Sequence, residues 1–391
     1  MKVCVFSNKN HALESHMYWK FALALKNAGH HVSCIGIGER TIDYISSENI
    51  HVYEFSNTIY SSNKWLNKAI NLFVRLLFPN KFAQVLLINN FDCIVPFNLE
   101  SLLIADYLKK RKPKVKIVYA AVDPYMDTYK NFSERPIIMI PFAFLYAKWI
   151  LVKEKKIVSK ANGVIITSDE LKDYYETAIS KSKIHIIYNY TNIELPQKIT
   201  EYDLKEYDFI YTGTVTRIRG AMEMVRAIAL LKNRIPGVKL LIIGNVYGQN
   251  LRNEMDGFIS KHDLSQNVII KEEVSFQEIA KYYLKSRVGL GLYLPVPSNY
   301  KILQLKIFEY MAYGLPIICN NFGNIDKITQ ENQSGISVNP LNCIEISKAM
   351  FSLITDRQLY TALSINAEEA FKKYRWLNIE PLFQKIFEKL D

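Results

Sequence analysis

Residues 301–321 constrain the fold more than any other stretch, because a helical pattern runs directly into a fully apolar segment. Apolar side chains at positions 305, 308, 311 and 312 recur at helical spacing, which predicts a short helix with one buried face. Gly314 and Pro316 are typical of a helix end. The segment 315–319 is apolar throughout, as in a strand inside a parallel sheet. The stretch therefore predicts an α/β fold in which this helix leads into an internal strand.

A second face of the same helix carries Lys306, Glu309 and Tyr313, which fall at i, i+3 and i+7. The helix N-terminus, near Gln304, Leu305 and Lys306, can hold phosphate oxygens through backbone N–H groups and the lysine charge. Glu309 can accept hydrogen bonds from ribose hydroxyls. These features suit a phosphorylated ligand at a sheet edge. They also suit a plain surface Lys–Glu pair, and the spacing alone does not separate the two.

A second polar segment follows a strand at residues 211–221, with the sequence YTGTVTRIRGA. The strand is expected to end at Gly213, and a helix is expected to start after Gly220. Arg217 and Arg219 lie in the loop between them. Two arginines at the carboxyl edge of a sheet can clamp a diphosphate through bidentate contacts, although loop arginines often face solvent.

The rest of the chain alternates apolar strand patterns with helical ones, which predicts doubly wound parallel sheets. A chain of 391 residues is too long for one core, so two domains are expected. Residues 191–206 are polar and aperiodic, as in a linker. We therefore expect domains at 1–193 and 194–375, followed by an amphipathic helix at 376–391. The first strand–helix connection lacks G-x-G-x-x-G, so no dinucleotide site of that kind is expected.

Composition points to a soluble protein of a reducing compartment, with 49% apolar and 22% charged residues. The five cysteines are scattered through apolar runs, and neither they nor other residues show metal-ligand spacing. The net charge of +11 is uneven, because residues 1–190 hold 25 Lys and Arg against 16 Asp and Glu. That excess can face an anionic membrane, nucleic acid or a phosphorylated acceptor, or simply aid solubility. The densest run, residues 109–116, is interpreted as a solvated loop before a strand.

Two segments of the first half combine apolar, aromatic and basic residues. They are 64–88 and 137–152, and the second is too short and interrupted for a membrane span. They predict either two helices that cover the first sheet or a surface that docks on a bilayer. The two predictions are compatible if each helix packs one face on the sheet and presents the other to the bilayer.

The wording of residues 306–318, KIFEYMAYGLPII, with the turn Phe322-Gly323-Asn324 behind it, resembles retaining glycosyltransferases of family 4. That resemblance implies the GT-B fold, with two Rossmann-like domains facing each other across a cleft. It implies that Glu309 binds the ribose of a nucleotide-sugar donor. Relatives usually have a second Glu eight residues earlier, where this chain has Lys301.

The same resemblance assigns roles in the loop after Gly213. Arg219 matches the Lys or Arg that relatives carry directly before the second glycine of this loop, here Gly220, and which neutralises the donor diphosphate. Thr214 stands where relatives often place another Arg, and whether Arg217 replaces it stays open.

On the acceptor side, the resemblance is weaker. Val118–Asp123 resembles v-Y-D-x-H-[DE], but Val122 occupies the His position and Ala120 the first Asp position. Asp123 remains, and is expected to hold acceptor or sugar hydroxyls. Asn10 and His11, in the loop after the first strand, are further acceptor-side candidates. The terminal helix is expected to cross back to the first domain.

Together these features predict a retaining glycosyltransferase that is cytoplasmic and peripheral at the inner face of the cell membrane. The partners expected are a nucleotide-sugar donor, a glycan or lipid-linked acceptor and an anionic membrane surface, without nucleic acid, metal or cofactor. The alternatives are a nucleotide-sugar 2-epimerase and an inactive interaction protein of the same fold. The residues predicted to be catalytic are Arg219, Lys306, Glu309 and Asp123. The residues predicted to bind the donor are Gly213, Thr214, Arg217, Arg219, Gln304, Leu305, Lys306 and Glu309.

Overall fold

The computed structural model describes residues 1–14, 16–38, 40–56, 80–122, 140–193, 195–196 and 201–390, with the side chains of 80–82, 140–143 and 276–277 excepted. The chain divides into two compact units. The first comprises Met1–Tyr188 and Trp376–Asp391, and the second comprises Asn189–Arg375. Each unit has its own sheet and its own buried apolar core, as the chain length predicts.

The described part of the first unit forms an eight-stranded sheet in the order β3-β4-β2-β1-β5-β6-β7-β8. Its strands are Lys2–Phe6 (β1), His31–Gly38 (β2), Ile42–Ile45 (β3), His51–Ser56 (β4), Cys93–Pro96 (β5), Lys116–Ala121 (β6), Gly163–Ile166 (β7) and Ile184–Ile186 (β8). Neighbouring strands pair in parallel, except that β3 runs antiparallel to β4. Because β1 pairs with β2 on one side and β5 on the other, the sheet is doubly wound.

Helices surround this sheet. They are Leu23–Asn27 (α1), Asn80–Ile88 (α2), Leu99–Arg111 (α3), Ile140–Val158 (α4) and Lys172–Glu176 (α5). A π-helical segment, Met17–Ala22, leads into α1. Asn98 caps α3, because its side chain accepts a hydrogen bond from the Ser101 N–H.

The second unit holds a parallel six-stranded sheet, among its described residues, in the order β11-β10-β9-β12-β13-β14. Its strands are Tyr207–Thr212 (β9), Leu240–Ile243 (β10), Val268–Lys271 (β11), Ser286–Gly291 (β12), Ile317–Asn320 (β13) and Gly335–Val338 (β14). Its helices are Ala221–Lys232 (α6), Gln249–Lys261 (α7), Phe276–Leu284 (α8), Leu305–Ala312 (α9), Gly323–Glu331 (α10), Cys343–Thr355 (α11) and Arg357–Phe371 (α12). The chain winds outward from β9 to β11 and then returns to β12, so the winding reverses between β9 and β12. Ligands of such sheets bind outside the carboxyl ends of the strands at this switch point.

Strand β9 shows why the apolar patterns fold in this way. Phe209 and Tyr211 pack into one core cluster with residues of α6 such as Met224, whereas Ile210 packs into the cluster on the other face with Phe308 of α9. A strand with both faces covered needs apolar residues at successive positions. The apolar runs are therefore the strands between two helical layers.

The last helix, Trp376–Glu388 (α13), belongs to the first unit. Its Phe383 ring lies 4.4 Å from the ring of Phe21, and its Gln384 side chain donates a 3.0 Å hydrogen bond to the Ala24 carbonyl. The apolar face of this helix thus completes the core beside α1.

Two local expectations need correction, and one strand pairing was not expected. Residues 109–111 of the basic run form the last turn of α3 instead of a loop, where positive charge suits the helix C-terminus. The strand expected at 315–319 is Ile317–Asn320, because the Leu315 N–H still bonds to the Tyr310 carbonyl in the turn after α9. The pairing of β3 with β4, at the sheet edge, was not predicted.

The two mixed segments fall partly outside the described residues, at 64–79 and 137–139. Residues 80–88 form α2, and residues 140–152 belong to α4. No helix in the described part of the chain has the length and apolarity needed to cross a bilayer.

Candidate active site

The loop between β9 and α6 is shaped by two glycines with positive φ, Gly213 at 95° and Gly220 at 72°. A Cβ at Gly220 would lie 2.0 Å from the Leu292 carbonyl oxygen, so only glycine allows this close approach. The Leu294 N–H bonds to the Ile218 carbonyl at 2.9 Å. These contacts bind the loop to the residues that follow β12, and the site therefore lies at the switch point of the second sheet.

Lys306, in the first turn of α9, is a buried lysine with only 7% of its surface exposed. Its Nζ lies 3.6 Å from the ring centre of Tyr211 and 5.5 Å from that of Tyr293. Within the described residues, Nζ has no hydrogen-bond acceptor and no carboxylate partner. A buried ammonium group without a partner is costly, so this position is suited to an anionic ligand.

Gly213 lies beside the Lys306 side chain. A Cβ built on Gly213 would lie 3.7 Å from Nζ of Lys306, at ordinary contact distance, so glycine leaves only backbone beside the amine. Burial, followed by the positive charge of Arg219, lowers the pKa of Lys306 well below its ordinary value, while Glu309 acts in the opposite direction.

Arg219 is held at the same strand end. Its Nη1 donates a 3.3 Å hydrogen bond to the Thr214 carbonyl, which also accepts a 2.8 Å hydrogen bond from the Tyr211 hydroxyl. The Arg219 charge is close enough to Lys306 to shift its pKa. The second unit therefore concentrates two basic side chains next to Gly213, an arrangement that suits a diphosphate.

Glu309 lies one turn along α9 from Lys306, and its carboxylate is oriented by another helix. The Tyr283 hydroxyl of α8 donates a 2.6 Å hydrogen bond to Glu309 Oε2 and lies 3.0 Å from Thr212 Oγ1. Burial, and next the Glu309 charge, raises the pKa of Tyr283 well above its ordinary value, so this phenol remains a donor. Because Lys306 is buried and does not pair with Glu309, the alternative of a surface ion pair is wrong.

The first turn of α9 was predicted to hold phosphate oxygens. Gln304 is the N-cap residue and is buried, but its side chain makes no capping hydrogen bond. The backbone N–H groups of Leu305 and Lys306 lie within this turn, where helices attract anions.

Arg217 has a different environment from Arg219. Its guanidinium forms an ion pair with Glu254 of α7, and the two side chains are 53% and 36% exposed. This pairing compensates the Arg217 charge, so Arg219 is the loop arginine whose contacts lie at the end of β9.

Several tyrosines of the site were missed by sequence reasoning. Tyr211, Tyr283 and Tyr293 come from β9, α8 and the segment after β12, and each contacts Lys306 or Glu309. The sequence holds 25 tyrosines, so their residue type is not informative. The position of Tyr211, two residues before the glycine of the loop, is the feature that could have identified it.

The structure describes two of the three acceptor-side candidates of the first unit, His11 and Asn10. His11 is largely exposed, and its Nδ1 lies 3.7 Å from Oε1 of Glu54, which accepts a hydrogen bond from the Ala12 N–H. The Asn10 N–H bonds to Ser7 Oγ at 3.1 Å. Asp123 lies outside the described residues.

Comparison with known proteins identifies the second unit. Residues 193–370 match the family model of group 1 glycosyl transferases. This chain carries a group 1 glycosyltransferase domain. The glycosyltransferase domain includes Lys306 and the residues described around it, which are Tyr211, Gly213, Arg219, Tyr283, Tyr293 and Glu309. Its family is one of transferase enzymes, as the sequence predicted.

Among curated relatives of this chain, the α-D-kanosaminyltransferase of Streptomyces kanamyceticus is 23% identical over 233 residues. That match covers 56% of this chain and 58% of the relative, so the chain spans under two thirds of its length.

Solved structures of the same fold cover the whole chain. The sucrose-phosphate synthase of Thermosynechococcus elongatus has a TM-score of 0.76 at 17% identity, with 100% of this chain and 99% of the other covered. Anabaena Alr3699/HepE, solved in complex with UDP and glucose, has a TM-score of 0.72 at 16% identity, with the same coverage. The predicted GT-B fold is confirmed.

Proposed function

We propose that this protein is a retaining glycosyltransferase that moves a sugar from a nucleoside diphosphate sugar to a glycan or lipid-linked acceptor in bacterial cell-surface glycan synthesis. The observation that carries the proposal is the unpartnered, buried Lys306 amine beside Gly213, inside a group 1 glycosyltransferase domain. The UDP and glucose bound by the structural neighbour HepE support a nucleotide sugar as the donor.

The hard step of the reaction is departure of the nucleoside diphosphate from the sugar. Negative charge grows on the diphosphate as the bond to the sugar breaks. Arg219, Lys306 and the backbone N–H groups at the start of α9 stabilise that charge, and they are already oriented in the free protein. Glu309, fixed by Tyr283, accepts hydrogen bonds from the ribose hydroxyls and sets the position of the donor.

Retention follows, in this proposal, from attack on the face that the diphosphate leaves, with the departing phosphate taking the acceptor proton. No side chain then serves as a strong nucleophile. Asn10, His11 and Asp123 remain the candidates for holding the acceptor.

The positive side chains of the site replace a metal ion in this scheme. We therefore expect activity to survive addition of a chelator such as EDTA. A loss of activity that added Mg²⁺ or Mn²⁺ restores would contradict this part of the proposal.

Attachment to the inner face of the membrane is supported by one surface of α4. Leu145, Trp149 and Val152 are exposed there, at 64%, 46% and 64%. Lys148 and Lys153 are exposed on the same helix, and Lys153 Nζ lies 5.4 Å from the Trp149 ring centre. Apolar and aromatic side chains among lysines suit an anionic bilayer, where an acceptor on a lipid carrier is within reach.

The test is product analysis with a panel of nucleotide sugars. The protein is incubated with each sugar nucleotide, first alone and then with membrane extracts that supply acceptors. We expect slow release of the nucleoside diphosphate when no acceptor is present and faster release when an acceptor is added. The product should have the same anomeric configuration as the donor. An inverted product would contradict retention. Conversion of the donor to its 2-epimer would favour the epimerase, and failure to bind or consume any donor would favour an inactive protein.

A further inference from the structure

Lys306 is buried in a setting that favours its neutral form. The residue is 7% exposed, and Nζ has neither an acceptor nor a carboxylate within hydrogen-bond distance in the part of the chain that the structure describes. An ammonium group that loses its water without gaining acceptors is far less stable than the uncharged amine.

The charged groups around the amine come from three elements. Arg219, in the loop after β9, adds a positive charge, and Glu309 of α9 adds a negative one. The Glu309 carboxylate accepts the Tyr283 hydrogen bond and is not paired with the lysine. Two effects therefore oppose the charged lysine, burial and Arg219, and burial is the larger.

The aromatic groups act in the other direction. Tyr211 of β9 and Tyr293, after β12, present ring faces to Nζ, and such faces attract a cation. Burial raises the pKa of both phenols, so neither becomes an anion near neutral pH that could pair with the lysine. The rings give Nζ no hydrogen-bond acceptor, and burial keeps the pKa of Lys306 well below its ordinary value.

We propose that Lys306 is a neutral amine in the free protein and takes up one proton from solvent when a nucleoside diphosphate sugar binds beside Gly213. The proposal rests on the proposed function, because the diphosphate supplies the negative charge that the site lacks. A diphosphate esterified at both ends carries two negative charges and has no proton to release near neutral pH. The proton therefore comes from water or buffer, and the bound state holds an ammonium group against phosphate oxygens.

Proton uptake makes donor binding depend on pH. Above the pKa of the free amine and below that of the bound ammonium group, donor affinity falls by up to about tenfold for each pH unit. The lysine becomes charged together with its ligand, and it is then ready to stabilise the leaving diphosphate.

Titration calorimetry in two buffers of different ionisation enthalpy, HEPES and Tris, tests the proposal at pH values from about 7 to about 9. UDP-glucose, GDP-mannose and dTDP-glucose serve as probes, because none titrates near neutral pH. The number of protons taken up follows from the difference between the two observed enthalpies. For every probe that binds, wild-type protein should take up close to one proton at the pH where uptake is greatest.

Two variants sharpen the test. Lys306→Arg keeps a positive charge that cannot be removed, so any probe it binds should bring no proton uptake. Lys327→Arg is the matched control, because Lys327 is an exposed lysine of α10 in the same unit. It should take up protons as wild type does.

The outcomes separate this inference from the proposed function. Binding with equal enthalpies in both buffers at every pH would overturn proton uptake and leave donor binding intact. Failure of all three probes to bind would overturn both. If Lys306→Arg does not fold, the pH dependence of wild-type affinity decides, and an affinity that stays constant over the pH range would contradict the proposal.

Discussion

Tyr283 and Glu309 are joined by a 2.6 Å hydrogen bond that links α8 to α9 across the donor end of the second sheet. The phenol is fully buried, and it also lies 3.0 Å from Thr212 Oγ1 of β9. The carboxylate that we assign to the ribose is thus oriented before any ligand arrives.

Tyr283→Phe should weaken donor binding without disturbing the chemical step to the same extent. Loss of one hydrogen bond to a carboxylate costs about 1.5–3 kcal/mol, so we expect the donor KM to rise about tenfold or more while kcat changes less. Steady-state kinetics measures both values. Tyr282→Phe, one position earlier on α8, is the control and should behave as wild type. Equal effects of the two changes would show that the hydrogen bond does not position Glu309.

Arg219→Ala should act mainly on turnover. A charge contact that strengthens as the diphosphate leaves stabilises the transition state more than the bound donor, so we expect kcat to fall on the order of 100-fold with a smaller change in KM. Arg252→Ala removes an exposed arginine of α7 that pairs with Asp256, and should leave both constants unchanged. If Arg219→Ala raises only KM, the residue binds the ground state and does not assist departure.

The sequence predicted a donor-binding role for Lys306 and Glu309 because both lie on one face of a helix directly before a buried strand. It could not predict Tyr283, which is 26 positions from Glu309 and reaches it only through the packing of α8 beside α9. The burial of Lys306 was also not predictable from the pattern, because lysines are mostly exposed, and the rings of Tyr211 and Tyr293 that lie over this one are far from it in sequence.

The same contrast applies to the fold. Strands with two covered faces, such as β9, are readily predicted from continuous apolar runs. Strand β3 was missed because Asp43, Tyr44 and Ile45 are exposed at the sheet edge, where neither face imposes a pattern. The end of α3 was predicted to be a loop because its Lys and Arg residues resemble a solvated run, although the helix dipole favours positive charge in the last turn of a helix.

Gly220→Ala should destabilise the second unit. The residue has a φ of 72°, and an added Cβ would meet the Leu292 carbonyl oxygen at 2.0 Å, so backbone must move. We expect a loss of at least about 1–3 kcal/mol, measured as a lower urea midpoint of the transition that reports on the second unit. Gly237→Ala is the control, because a Cβ there meets nothing within 4 Å. An unchanged midpoint for Gly220→Ala would contradict the tight contact between the loop and the segment after β12.

Trp149→Ser combined with Val152→Ser should reduce attachment to anionic liposomes. The change removes exposed apolar area from α4 but keeps its lysines. Cosedimentation of the wild-type protein should decrease as salt rises, because each lysine near the surface contributes about 1 kcal/mol that salt screens. Leu341→Ser with Ile344→Ser removes exposed apolar side chains from the second unit and should leave binding intact. Wild-type protein that stays in the supernatant at low salt would exclude membrane docking by this helix.

Donor binding by Glu309→Gln, compared with wild type and Glu331→Gln in one calorimetric series, tests the central claim most directly. Glu331 is an exposed acid of α10 and provides the matched loss of charge. The account predicts that a nucleotide sugar binds wild type and Glu331→Gln alike and binds Glu309→Gln about 5- to 150-fold more weakly, which corresponds to the loss of ribose hydrogen bonds worth about 1–3 kcal/mol. Equal affinity for all three proteins would contradict the placement of the donor ribose at Glu309.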